Sequence, residues 1–290
     1  MGTKQIFIAL NSFGGDEVQD RGQLWYARVA EEAGADGVEI RGELLIGGAA
    51  ELDAIARELP IGFVPFYSEP NLWTDQGVLD LDKLDGGLAA AERLGAKRFK
   101  TTLGGFAFAD VGSIGGSMEA LRDRLDATSI ELLVENDQSE RAGTITMITD
   151  FLYYAQRHGV RIPFVFDLGN WHWTNEDPSD AASMFALHRG DHELATVGYV
   201  HLKGVQRQPI KPKPGEQHDG PIQPQQWMAV PLMESAVAWR PVLRKVAPLT
   251  DSDTTPWAIE YPLIAGSRDD LVVVTREQVG LVRRLSQTRL

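Results

Sequence analysis

Eight short runs of β-forming apolar residues recur along the chain, and segments with helical spacing separate them. The runs fall near 5–11, 37–41, 61–67, 97–102, 131–135, 162–167, 197–203 and 256–260. Between them apolar residues recur at helical intervals, as at Leu81, Leu84, Leu88 and Ala91. Three joins read helix, glycine, strand: Gly34 before Gly37-Val38-Glu39-Ile40, Gly95 before Arg98-Phe99-Lys100-Thr101, and Gly159 before Ile162-Pro163-Phe164-Val165-Phe166. Glycine just after a helix takes the left-handed conformation that ends it. Asp20, Asp80, Thr144 and Ser267 each precede a periodic run and are the expected helix caps. Strand–helix alternation implies a parallel sheet covered by helices. Eight such units in 290 residues predict an α/β fold, a single (β/α)8 barrel over 1–290. A doubly wound open sheet is the competing arrangement, and the count of eight favours the barrel.

One interval breaks the rhythm. From His201 to Glu260 is 59 residues, against 32 from Glu135 to Asp167 and 34 from Asp167 to His201. The excess lies in 204–231, rich in proline and glycine, and is expected as a long loop after strand seven. In a barrel that loop sits on the catalytic face, where it could close as a lid or pack on the rim.

Composition excludes several chemistries. There is no cysteine, so no disulfide, thiolate nucleophile or Cys-based metal site. The chain carries 28 Lys+Arg against 41 Asp+Glu, a formal charge of -13. Nucleic-acid binding rests on neutralising phosphates, so this balance argues against a nucleic-acid partner, and against an anionic membrane. No run reaches the ~18 apolar residues of a membrane span, and no signal pattern opens the chain, so a cytoplasmic protein is expected. Gly104-Gly105 and Gly115-Gly116 lack the Lys-Ser/Thr ending of a phosphate loop, and no nucleophile elbow or dinucleotide glycine pattern occurs.

Chemistry in a barrel gathers at the C-terminal ends of its strands. Glu135, Asp167, His201 and Glu260 end or follow the last four runs. Three carboxylates and an imidazole suit one divalent ion such as Mn, Mg, Co or Zn. Arg41, Lys100 and Lys203 stand on strands two, four and seven, and a cationic mouth on an acidic chain points to a small anionic substrate. A salt-bridge ring inside the barrel is the alternative for Arg41 and Lys100. Trp171-His172-Trp173 follows Asp167 closely: the aromatics could stack on a sugar ring or pack under the loop, and His172 is a candidate substrate contact. Asn11, Tyr67 and Trp73 are weaker candidates.

The set Glu135, Asp167, His201 and Glu260 resembles the xylose isomerase-like TIM-barrel superfamily. The blocks Leu132-Leu133-Val134-Glu135-Asn136-Asp137-Gln138, Phe166-Asp167-Leu168-Gly169-Asn170-Trp171, Val197-Gly198-Tyr199-Val200-His201 and Ile259-Glu260-Tyr261-Pro262-Leu263 are more similar to the epimerases of ketogluconate utilisation (KguE). The resemblance implies that the four residues bind one divalent metal and that Glu135 and Glu260 are also the acid/base pair. It implies an isomerase or epimerase acting on a small ketose, sugar phosphate or keto-sugar acid through an enediolate. Arg207, six residues after His201, matches a substrate-anchoring arginine of the epimerases. Asn170 stands where epimerases often carry a histidine, and Lys203 resembles the dehydratase branch. A dehydratase of an inosose or keto-acid, or a non-catalytic sugar-binding barrel, is therefore the alternative. The substrate would be small and anionic or polyhydroxylated, and the resemblance allows a homo-oligomer. Endonuclease IV needs further histidines on strands three and four, which end in Tyr67-Ser68 and Lys100-Thr101-Thr102.

Overall fold

Hydrophobic alternation along the strands sorts the barrel into two cores. The computed structural model describes residues 4–60, 62–106, 111–192, 196–209, 225–250 and 255–287. Its strands are β1 (Ile6–Ala9), β2 (Gly37–Arg41), β3 (Val64–Ser68), β4 (Arg98–Thr102), β5 (Glu131–Glu135), β6 (Phe164–Asp167), β7 (Val197–Leu202), β8 (Gly204–Pro209), β9 (Gln225–Val230) and β10 (Trp257–Ile259). Eight of them close in the order β1-β10-β7-β6-β5-β4-β3-β2, all parallel. The α/β barrel expected from the spacing is the fold. Ile6, Ile8, Val38, Ile40, Leu132 and Val134 face outward and join the core shared with the helices. Phe7, Phe66, Leu133, Val165, Tyr199 and Ala258 form a second apolar cluster inside the barrel. Period-two alternation makes both faces of each strand apolar, as a parallel sheet buried on both sides requires.

The helices are α1 (Gly15–Arg21), α2 (Gln23–Glu32), α3 (Gly48–Glu58), α4 (Leu81–Leu94), α5 (Val111–Asp126), α6 (Ile145–Arg157), α7 (Pro178–His192), α8 (Trp239–Val246) and α9 (Arg268–Gln287). Gly34, Gly95 and Gly159 have φ of 87°, 72° and 75° at the helix-to-strand joins, as the sequence predicts. Asp80 and Thr144 cap α4 and α6 by accepting from Lys83 N and Met147 N. Ser267 accepts from Asp270 N at the start of α9. Asp20 is not a cap: it lies inside α1, and Gly22 precedes α2 instead.

The long 204–231 loop also differs from expectation. Its ends pair as an antiparallel hairpin, β8 with β9, with Val205 opposite Ala229 and Arg207 opposite Trp227. Gln206, Arg207 and Trp227 are able to extend there because the only proline within the paired segments, Pro209, sits at the hairpin end. Residues 210–224, His218 among them, lie outside the described residues.

Candidate metal centre

The site is the next polar layer of the inner face. Glu135, Asp167, His201 and Glu260 each stand two residues beyond Leu133, Val165, Tyr199 and Ala258, so strand pleating aims them into the same interior. One ligand atom from each lies within 4.8 Å of the others, and all four residues are buried. His201 Nδ1 is 2.5 Å from Glu260 Oε2, 2.9 Å from Glu135 Oε1 and 3.7 Å from Asp167 Oδ2.

Local structure decides which oxygens point inward. β6 ends at Asp167, and the turn after it brings Gly169 N and Asn170 N to Asp167 Oδ1 at 2.7 and 2.8 Å. Asn136 clamps the same residue's backbone, accepting from Asp167 N at 3.0 Å and donating to its carbonyl at 3.3 Å. Asp167 Oδ2 and Glu135 Oε1 are left buried without a hydrogen-bond partner of good geometry. Buried carboxylate oxygens are costly unless a cation compensates them. Oxygen donors plus one imidazole nitrogen, converging on one point, are the donor set a divalent cation takes. The residues therefore fit a metal.

Cations surround these carboxylates. Lys203 Nζ is 2.8 Å from Asp167 Oδ2 and 3.1 Å from Glu260 Oε2, and donates to Asn170 Oδ1 at 2.9 Å. Gly169 is needed here, because a Cβ would meet the Lys203 side chain at 2.9 Å. Arg41 Nη1 is 3.0 Å from Glu39 Oε1 and 3.6 Å from Glu260 Oε1. Lys100 Nζ is 3.0 Å from Glu39 Oε1 and also pairs with Glu135 Oε2. Burial acts to raise every carboxyl. At Glu39 and Glu135 the charges of Lys100 and His201 outweigh it, and at Glu260 those of Lys203 and His201 do, so all three stay below the usual carboxylate range. At Asp167 burial prevails over Lys203, and the carboxyl is pushed up. Burial opposes charge on His201, but Glu135 and Glu260 override it and raise the imidazole well above its ordinary range.

A cavity of about 490 Å³ opens above this layer, lined by Glu135, Glu260, Arg41, Lys203 and Asn170 together with Asn11, Asn71, Thr102, Asp137 and Gln138. Asn11 donates to Glu260 Oε1 at 3.0 Å. Burial pushes the Asp137 carboxyl up to about 6.

The other residues singled out from the sequence lie elsewhere. Lys100 is beneath the cavity and does not line it. The His172 ring lies 5.0 Å from the Trp227 ring, tilted by 39°, and His172 lines a smaller neighbouring cavity with Trp239 and Pro178. Arg207 is exposed on the hairpin, its guanidinium 4.8 Å over the Trp227 ring. Trp171 is fully buried against Phe164 and Phe166, and Trp73 against Phe106 and Phe151. Tyr67 donates to Glu69 at 3.1 Å. Sequence reasoning puts Glu39 on the same strand face as Arg41 but leaves it out of the candidate site; it is fully buried and 3.0 Å from His201 Nε2. An acidic residue between Val38 and Ile40, two before Arg41, was the available signal.

No protein-family model and no curated protein matches this sequence. Solved structures do match its fold. A xylose isomerase domain-containing protein from Salmonella typhimurium LT2 superposes with a TM-score of 0.64 at 14% identity, over 96% of this chain and 97% of that one. The IolI protein, solved with a bound zinc atom, gives 0.64 at 13% identity, over 98% and 99%. D-psicose 3-epimerase from Clostridium cellulolyticum H10, solved with D-tagatose, gives 0.62 at 11% identity, over 98% and 100%. The structural neighbours are thus xylose isomerase-like TIM barrels, and at these identities the likeness is one of fold.

Proposed function

We propose that this chain is a divalent-metal-dependent isomerase or epimerase of a small ketose or keto-sugar acid, built as one domain. The observation that carries this reading is the convergence of Glu135 Oε1, Asp167 Oδ2, Glu260 Oε2 and His201 Nδ1 at the floor of a polar cavity. When bound there, a Mn, Mg, Co or Zn ion supplies Lewis-acid polarisation of a carbonyl oxygen. Glu135 and Glu260 line the cavity from opposite sides of the ligand set and are the acid/base pair. One carboxylate would take and keep a proton from beside the carbonyl; the other, entering the step as the carboxylic acid, would give its own proton to the opposite face or to the neighbouring carbon, leaving the pair with its protonation exchanged. Arg41 and Asn11 orient Glu260, and Asn170 orients Lys203. The epimerase and isomerase-like neighbours are consistent with this chemistry.

The walls favour a polyhydroxylated substrate over a phosphate. Asn11, Asn71, Thr102, Gln138 and Asn170 offer amides and hydroxyls, Asp137 adds a carboxylate, and the cations Arg41 and Lys203 already face carboxylates. A keto-sugar acid, the substrate class to which the ketogluconate likeness points, would meet these walls through its hydroxyls, since Lys203 is already engaged by Asp167, Glu260 and Asn170. Nucleic acid is not a partner in this reading, since β3 and β4 end without histidine and the net charge is -13.

Solvent deuterium incorporation tests the proposal. Metal-loaded protein should exchange a proton beside the carbonyl of at least one member of a ketose and keto-acid panel. Absence of exchange across the panel, with ligand-induced stabilisation retained, would favour a sugar-binding barrel instead. A dehydratase is the second reading, because the Lys203 ammonium beside Asp167 and Glu260 could protonate a departing hydroxyl. New enone absorbance in place of exchange would select it.

A further inference from the structure

Two charged residues touch the ligand set without reaching the cavity. Glu39 Oε2 is 3.0 Å from His201 Nε2, the ring nitrogen on the far side from the converging carboxylates. Glu39 is fully buried, and its other oxygen is 3.0 Å from both Lys100 Nζ and Arg41 Nη1. Lys100, itself 1% exposed, also pairs with Glu135 Oε2. One lysine therefore ties the carboxylate behind His201 to a carboxylate of the ligand set.

The consequences follow from elementary donor and acceptor chemistry. An imidazole whose Nε2 faces a carboxylate keeps its proton there and presents the Nδ1 lone pair to an ion. A carboxylate with one oxygen held by an ammonium offers the other, and Glu135 Oε1, the oxygen Lys100 does not hold, is the one turned to His201 Nδ1 at 2.9 Å. Stability gives no reason for so much charge here, since replacing a buried ion pair by apolar residues is often neutral or stabilising.

We infer that Glu39 and Lys100 are positioning residues for a bound ion: Glu39 fixes His201 with Nδ1 turned to the ion, and Lys100 fixes Glu135 to present Oε1. This rests on the metal reading above but can fail separately from it. Calorimetric titration of the full chain with Zn(II) or Mn(II) decides. Glu39→Gln should weaken binding by about tenfold to a hundredfold, and Lys100→Met by less, with far-UV circular dichroism unchanged. Affinity within about twofold of the wild type in folded Glu39→Gln overturns the inference alone. No ion bound by the wild type overturns the metal reading with it. Should either variant fail to fold, the wild type settles the matter through nitrogen-15 NMR of labelled histidine in the zinc-loaded protein. A proton on His201 Nε2 with Nδ1 bound is expected, and a proton on Nδ1 overturns the inference.

Discussion

Leu133, Val165, Tyr199 and Ala258 face the same barrel interior as Glu135, Asp167, His201 and Glu260, one pleat further along the same four strands. The lower layer is apolar and interlocked: Phe66 lies 5.0 Å from Phe7 and 4.6 Å from Tyr199, ring to ring. The upper layer is a cluster of paired charges. A single pleat of two residues thus separates the part of the interior that gives folding free energy from the part where charge is gathered. The lower layer excludes water from beneath the upper one, which strengthens every electrostatic interaction in it. Tyr199 marks the boundary, its ring 4.9 Å from His201. Stability and function should therefore respond to different substitutions.

The largest expected effect falls on the upper layer. Asp167→Asn removes the carboxylate whose Oδ2 faces the ligand set, so elemental analysis should find no retained ion, and catalysis should fall by at least about 10³-fold. The chelated variant should still fold, because Asn keeps the acceptor for Gly169 N and Asn170 N and Lys203 keeps Glu260, though loss of the Lys203–Asp167 pair should lower its unfolding midpoint. One ion per chain retained in the variant would place the ligand set elsewhere. The lower layer should behave in the opposite way. Phe66→Ala leaves a cavity between Phe7 and Tyr199 and should cost about 3–5 kcal/mol in urea unfolding, while the folded fraction still binds its ion. Loss of ion binding from fully folded Phe66→Ala would mean the two layers are not separable. A smaller effect joins them: ion at a hundred times its dissociation constant should add about 2.7 kcal/mol over the chelated protein. An unfolding midpoint unmoved by chelation would count against an ion held by these ligands.

The sequence displays these layers unequally. The barrel was legible because glycine-ended helices and eight apolar runs repeat at a nearly fixed interval. The four converging residues were legible because an ionisable residue in or closing an apolar run has little reason to be there unless paired or ligated. What a side chain faces across a barrel was not legible. Glu39 and His201 lie 162 residues apart, and only closure of β1 onto β10 and β2 brings them within hydrogen-bond distance. For the same reason Lys100 looked like a residue of the mouth, whereas register with β5 sets it beneath the cavity against Glu135. Arg207 was singled out by its likeness to an epimerase arginine six residues after the metal histidine, and hairpin pairing sets its guanidinium over Trp227. Proline and glycine content correctly marked 204–231 as an interruption and concealed that its ends are strands.

His172 gives the mildest test of the same contrast, because it is a partly buried ionisable group without the compensation seen in the upper layer. Its ring lies against Trp227, its Nε2 is buried without a hydrogen-bond partner, and burial pushes the imidazole below its ordinary range, with Asp177 pulling weakly the other way. The sign follows from linkage. The unfolded chain binds a proton near pH 6.5 and the folded one only below that, so the stabilisation is complete above about pH 6.5 and is lost as pH falls through it. Removing the group with His172→Gln should flatten the fall in unfolding midpoint between pH 7 and pH 5 by about 1–2 °C relative to the wild type. Glutamine keeps an amide against the Trp227 face, so the packing is nearly retained while the titration is not. A wild type that gains stability on acidification relative to the variant would show Asp177 outweighing burial at His172. Paired and unpaired buried charges in this barrel would then no longer differ in the way the two layers suggest.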